Sequence, residues 1–119
     1  MKKIILIAGL IASQVSFAQI KNSQNSARHQ SMIAAAIEQN CGSMRNLTEV
    51  TQAVEEIRVD QGITDKKFTT VLTGEQRMDQ MIFDTYKIVV QSEYADMYDH
   101  NSQDWGAYFV TSVSCEMAQ

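Results

Sequence analysis

The sequence contains a single pair of cysteines, Cys41 and Cys115, and their spacing limits the folds that the chain can adopt. A disulfide between them closes a loop of about 75 residues, which by chain entropy stabilises the folded state by roughly 4–5 kcal/mol. That free energy is comparable to the net stability of a whole small domain. Redox dithiols usually occur as C-x-x-C, and zinc sites need further Cys or His at short spacing. Neither pattern occurs in this sequence, so we predict a structural disulfide.

The N-terminus carries the pattern of a secretory signal peptide. Lys2 and Lys3 precede the apolar run 4–12, and the small residues of the sequence 16–18 (SFA) follow it. A membrane anchor needs about 20 apolar residues, and no cysteine follows the run to accept a lipid. We therefore predict removal of residues 1–18 and an exported, periplasmic or secreted product without a transmembrane or lipid anchor. An oxidising compartment favours the disulfide over two free thiols.

Length and composition indicate one small globular domain over residues 19–119. The chain has 119 residues, of which 45% are hydrophobic and 20% charged, a composition typical of a packed globule. The formal net charge of −4 at pH 7 argues against nucleic acid as a partner, because phosphate backbones are bound by clustered Lys and Arg. The polar segment 19–25 has no periodicity, and we expect it to be a flexible tail.

A helix is predicted over residues 27–40. Ser26 is a suitable N-cap, apolar residues recur at helical spacing, and Gly42 stands just past the end of the segment, where a left-handed residue is often required. The segment 46–60 is ambiguous: its apolar spacing is helical and Asn46 with Glu49 resembles a capping box, but many of its residues are β-branched. We predict a helical turn from about residue 47 that passes into a strand ending near residue 60.

Three later segments read as strands. Residues 67–73 alternate and are followed by Gly74, residues 80–94 form a longer alternating run, and residues 105–115 alternate up to Cys115, with a polar connector at 95–104. The order predicts an α+β fold in which an N-terminal helix packs on an antiparallel meander of three to four strands.

Alternation along the last strand predicts which of its residues face solvent. If Cys115 and Phe109 point inward, then Tyr108 and Val110 lie on the opposite face of the sheet. There they would stand beside side chains of the preceding strand, and exposed aromatic and aliphatic groups often mark a binding surface. The partner-binding residues predicted in this way are Phe83, Val89, Tyr108 and Val110.

The acidic connector is the second candidate site, with hard-oxygen and nitrogen ligands for a metal ion. A calcium loop needs glycine at its sixth position, and this segment has no glycine there, so it matches the motif only in part. The metal ligands predicted on this reading are Asp96, Asp99, His100 and Asp104.

No motif for catalysis is apparent in the sequence. Only His29 and His100 can serve as a histidine base, there is no Gly-x-Ser-x-Gly, and the disulfide occupies both cysteines. No cofactor is expected. The first hypothesis is therefore an exported, non-catalytic protein that binds an unknown macromolecule, and the second is a small metal- or ligand-binding protein that uses residues 96–104.

The order of one helix followed by a strand meander resembles the cystatin-like architecture of secreted inhibitors and binding modules. The segment Thr70 to Gly74 is similar to the glycine-ended inhibitory hairpin of that family over five residues, and it departs from the family pattern at the glutamine position. The resemblance implies a third hypothesis, a secreted inhibitor of a hydrolase, and it carries over no site residue.

Overall fold

The computed structural model describes residues 20–58 and 64–118 and contains one helix and a four-stranded sheet. The helix and strands have the following bounds: α1, Ala27–Cys41; β1, Arg45–Arg58; β2, Thr64–Arg77; β3, Phe83–Asp99; and β4, Asp104–Met117. The strand order is β1-β2-β3-β4, and every neighbouring pair is antiparallel. The predicted α+β fold, with an N-terminal helix on an antiparallel meander, is confirmed. The predicted signal peptide lies outside the described residues.

Local signals set both ends of α1 as the sequence predicted. The Ser26 hydroxyl accepts a hydrogen bond from the backbone N–H of His29, and Gly42 follows the helix with φ 87°. The buried side of α1 packs against β3 and, more extensively, β4. Its central residues Ile33 and Ile37 are buried against the sheet and form part of the core.

The disulfide is present and joins Cys41, at the C-terminal end of α1, to Cys115 on β4, with their Cα atoms 6.2 Å apart. The bond therefore fixes the last strand to the end of the helix that covers it. Next to this bond the sheet contributes the aliphatic side chains of Leu72, Ile88 and Val90, all buried, to the core.

The segment that precedes α1, where the sequence predicts a flexible tail, makes contacts with the core and with β1. Ile20 is buried in the core cluster. Lys21 lies beside the edge of β1, where its N–H donates to the Leu47 carbonyl at 2.9 Å and its carbonyl accepts from Glu49 at 2.9 Å. This short parallel bridge covers part of the β1 edge.

The ambiguous segment 46–60 is strand as far as it is described, and the capping-box reading is wrong. Its β-branched residues pair along β2 with irregularities near Thr48 and Val50. Asn46, the proposed cap, instead has a left-handed φ of 55° within the strand, where it allows the chain to change register.

Gly74 lies within β2 and does not end it, contrary to the prediction. A Cβ at this position would lie 3.0 Å from the Leu47 side chain and 3.2 Å from the Ile88 side chain. The glycine thus lets two core side chains approach the β2 backbone, and the chain reverses direction only at residues 78–82.

The polar segment 95–104 is mostly strand and not a connector. β3 continues to Asp99, and the reversal to β4 takes place within residues 100–103. The Gln103 N–H closes this turn on the Asp99 carbonyl at 2.8 Å, and Gln103 has φ 57°. The candidate metal residues therefore belong to a long hairpin.

A bulge at Thr111 changes the facing of β4. Gln91 pairs with Ser112, but the next residue of β3, Ser92, pairs with Val110, which leaves Thr111 as the extra residue. A bulge inserts one extra residue into the strand, so odd-numbered residues point to one face of the sheet before the bulge and to the opposite face after it. Tyr108 and Val110 consequently face α1, as Cys115 does, and Phe109 faces away from the helix.

Candidate functional site

The structure does not bring the four predicted partner-binding residues together. Val110 packs against the core, and the Tyr108 ring stacks on the buried His29 ring with centroids 4.5 Å apart. The Arg45 guanidinium covers Phe83, with its central carbon 3.3 Å from the centroid of the ring. Val89 lies half-buried on the sheet face that α1 does not cover. The prediction of one exposed surface is wrong because it placed Tyr108 and Val110 on the face opposite to the one they occupy.

The predicted metal residues lie within one structural unit, which we call the acidic hairpin and define as residues 93–109. Each carboxylate has a partner of its own. Asp96 accepts a hydrogen bond from the Trp105 indole N–H, and Asp99 accepts from the Ser102 hydroxyl at 3.0 Å. The Asp104 carboxylate accepts from the Trp105 backbone N–H at 2.8 Å.

These side chains do not form a ligand set. Among residues 20–58 and 64–118 there is no cluster of three or more His, Cys, Asp or Glu side chains that could hold a metal ion. His100 packs its ring edge-on against Tyr98 at 5.0 Å between centroids. Hydrogen bonds from the Ser102 hydroxyl, which has the larger effect, and from the Asn101 N–H lower the pKa of the Asp99 carboxyl. The ionised carboxylate thus accepts the hydrogen bonds that shape the turn.

Arg28, on the first turn of α1, joins the helix to the acidic hairpin. Its guanidinium donates to the Gly106 carbonyl, lies 3.5 Å from an Asp99 oxygen and 3.8 Å from an Asp104 oxygen, and stands 5.5 Å from the centroid of the Tyr108 ring. One cation therefore faces two carboxylates and an aromatic ring. These contacts hold the hairpin against the helix N-terminus.

His29 lies directly beneath the acidic hairpin and is 1% exposed. Its ring is stacked on Tyr108 and meets Phe68 edge-on at 4.6 Å, and Nε2 lies 2.8 Å from the Ser92 hydroxyl oxygen. Burial lowers the pKa of His29 to about 4, so the ring is neutral at physiological pH. A neighbouring serine and histidine suggest a nucleophile and its base, but Ser92 is also fully buried and no substrate can reach the pair.

The surface of the acidic hairpin exposes three aromatic side chains. Trp105 is 60% exposed, Tyr98, its register partner on β3, is 41% exposed, and Phe109 is 47% exposed. Trp and Tyr are enriched among the side chains that anchor protein interfaces, because they bury a large apolar area and keep a polar atom for a hydrogen bond. The hairpin thus combines exposed aromatic side chains with carboxylates.

The part of the chain after Lys87, which includes the acidic hairpin, contains acidic residues but no Lys or Arg. The acidic residues of that stretch are Glu93, Asp96, Asp99, Asp104 and Glu116. Cations from other parts of the chain offset some of this charge. Lys67 of β2 stands opposite Glu93, Lys87 of β3 stands opposite Glu116, and Arg28 lies beside Asp99 and Asp104. The composition of the C-terminal part, taken separately from the whole, would have revealed this segregation from sequence alone.

Two other surface features lack such a charge pattern. An open groove of about 470 Å³ lies between α1 and the start of β1 and is lined by apolar residues such as Met44 and Leu47 together with the charged side chains of Glu38 and Arg45. The turn between β2 and β3 exposes Met78 and Met81. Neither feature indicates the chemistry of a ligand.

No family model matches this sequence, and comparisons with curated proteins and with solved structures yield no significant match. Among the described residues, no helix is both long and apolar enough to cross a bilayer.

Proposed function

We propose that this chain is an exported, non-catalytic binding protein whose acidic hairpin docks onto a basic protein surface. The signal-peptide pattern at the N-terminus supports export, and the disulfide is compatible with an oxidising compartment. The observation that carries the proposal is the combination of exposed Trp105 and Tyr98 with three aspartates on one rigid hairpin.

The acidic hairpin is held in place before a partner arrives, which favours binding. Arg28 fixes it to α1, Tyr108 fixes it to His29 in the interior, and the Asp99 carboxylate closes the turn. Little conformational entropy is then lost on association, so the aromatic contacts contribute more fully to affinity. The net negative charge of the hairpin, which Arg28 and Lys67 offset in part, accelerates the encounter with a positively charged partner.

Site-specific photocrosslinking in the native exporting cell tests this proposal. A photoreactive phenylalanine analogue replaces Trp105 in one variant and Thr51, an exposed residue of β1, in the control variant. We expect a defined covalent adduct from position 105 and none from position 51. Since surface electrostatics are screened within about 3 Å at 1 M salt, the adduct should weaken when salt is raised to that level.

The Asp104→Asn substitution in the position-105 background should also reduce the adduct, because it removes one of the carboxylates that attract a basic surface. No adduct at position 105, or the same adduct at both positions, would contradict the proposal. Intact mass of the purified product tests export itself through the loss of residues 1–18 and of two hydrogens from the cysteines.

A further inference from the structure

Arginine side chains pack on aromatic rings at two places in this protein, and at both places a carboxylate binds the same guanidinium. The first is at the end of the sheet opposite to the acidic hairpin, where the central carbon of the Arg45 guanidinium lies 3.3 Å from the centroid of the Phe83 ring. The Arg45 Nε–H also donates to the Glu75 carboxylate at 2.9 Å. A planar guanidinium can stack on an aromatic face while its N–H groups reach a carboxylate at the side.

The second place is the contact between α1 and the acidic hairpin. The Arg28 guanidinium stands 5.5 Å from the centroid of the Tyr108 ring, within the distance at which a cation is attracted to an aromatic face. It also lies 3.5 Å from an Asp99 oxygen and 3.8 Å from an Asp104 oxygen. The fold therefore combines the same three groups, an aromatic ring, a guanidinium and a carboxylate, at two separate positions.

At a third place, Trp105 and Asp96 supply the aromatic ring and the carboxylate. The indole N–H donates to the Asp96 carboxylate, which fixes the orientation of the ring. The Trp105 side chain is 60% exposed, so the ring is open to solvent. Among the side chains that the structure describes, no Lys or Arg pairs with Asp96 or lies over the Trp105 ring. The guanidinium of this third arrangement has to come from another molecule.

The local electrostatics favour a cation at this position. The indole N–H is a neutral donor, so its hydrogen bond does not offset the charge of the Asp96 carboxylate. A carboxylate acceptor also polarises the indole, which strengthens the attraction of a cation to the ring face. The Asp65 carboxylate accepts a hydrogen bond from the Asp96 backbone N–H at 3.4 Å and places a second acidic group beside the first.

We propose that Trp105 and Asp96 form an arginine site, which binds the guanidinium of one arginine side chain of the partner protein. The guanidinium stacks on the exposed indole face and donates to the Asp96 carboxylate at the edge of the ring. This inference rests on the proposed function, because it names the chemical group that the acidic hairpin recognises. Lysine is the weaker ligand, since its ammonium is more strongly hydrated and has no plane that can stack on the ring.

The single tryptophan of the chain makes the arginine site directly observable, because its indole N–H gives one signal in a nitrogen–proton correlation spectrum. The intact, disulfide-bonded protein is titrated at constant ionic strength with N-acetylarginine amide and with the corresponding lysine and citrulline amides. Citrulline has nearly the shape of arginine but no charge. We expect the arginine amide to shift the indole signal saturably. It should bind about tenfold more tightly than the citrulline amide and about threefold more tightly than the lysine amide.

Two variants test the two parts of the site. Asp96→Asn removes the charge and keeps an oxygen that accepts from the indole N–H, so it should weaken arginine binding about fivefold. Trp105→Leu, followed by saturation transfer from the protein to the arginine amide, should abolish the transfer. Glu55→Gln is the matched control for net charge, at an exposed position of β1, and should bind as the wild type does. Circular dichroism checks that each variant is folded.

Several outcomes would overturn the arginine site. These are equal affinity for the arginine and citrulline amides, equal affinity for the arginine and lysine amides, or the same loss in Asp96→Asn and Glu55→Gln. If position 105 forms its crosslink but the arginine amide leaves the indole signal unchanged, the proposed binding function stands and the arginine site fails. If the arginine amide binds as expected but no crosslink forms, the arginine site stands and the proposed function fails.

Discussion

The buried histidine makes the stability of this protein depend on pH. His29 has a pKa of about 4 in the folded protein and an ordinary value of 6.5 when unfolded. Between these values the unfolded chain binds a proton that the folded protein does not, so the free energy of unfolding falls as pH is lowered from 6.5 towards 4. Above that window the contribution of His29 is constant.

The size of the effect follows from the two pKa values. Lowering the pH from about 7.5 to about 5 should reduce the free energy of unfolding by about 2 kcal/mol through this one group. Solvent screening is small because the ring is only 1% exposed. The cost reflects the loss of water around a charged ring that is buried between Phe68 and Tyr108, with the Ser92 hydroxyl as its hydrogen-bond partner.

Urea denaturation at a series of pH values measures this dependence. His29→Gln removes the titrating group and keeps a polar side chain near Ser92, so its stability should be lower at pH 7.5 and nearly flat down to pH 5. His100→Gln, at an exposed position, should retain the slope of the wild type. Equal slopes in His29→Gln and the wild type would refute the reasoning, because carboxylates such as Asp99 contribute equally to both.

Two further predictions concern the scaffold. Replacing Cys41 and Cys115 with serine should lower the free energy of unfolding by about 4.5 kcal/mol, measured by denaturant midpoint, and a variant as stable as the oxidised wild type would contradict a stabilising role for the bond. Gly106→Ala should cost about 2 kcal/mol or more, because Gly106 has φ 97° and a new Cβ would lie 2.7 Å from the Tyr94 ring; an unchanged melting temperature would show that the hairpin can relax.

The helix, the disulfide and the meander could be predicted from the sequence because local signals define them. The Ser26 cap, the Gly42 end and the apolar spacing between them depend on neighbouring residues alone. The cysteine pairing follows by elimination, since only two are present. Strand order then follows from short connections between consecutive segments.

The sequence does not predict which residues of β4 point towards α1, because their directions depend on a register shift that no local signal marks. Thr111 is an ordinary strand residue, and only pairing with β3 shows that it is the extra one. That single residue moves Tyr108 and Val110 under α1 and leaves Phe109 exposed. The sequence predicts the end of β2 too early, at Gly74, for a related reason. The Leu47 and Ile88 side chains that require a glycine there come from distant positions in the chain.

The disulfide also sets an order of events during biogenesis. Cys41 leaves the ribosome long before its partner, since β1, β2 and β3 all lie between the two thiols in the chain. Throughout that interval the Cys41 thiolate can attack a foreign disulfide, form a mixed disulfide and release the second sulfur as a thiolate. The hairpins, whose contacts are between consecutive segments, can form first and present Ile88 as the register partner of Cys115. A disulfide formed after this pairing fixes α1 to a sheet that is already in register.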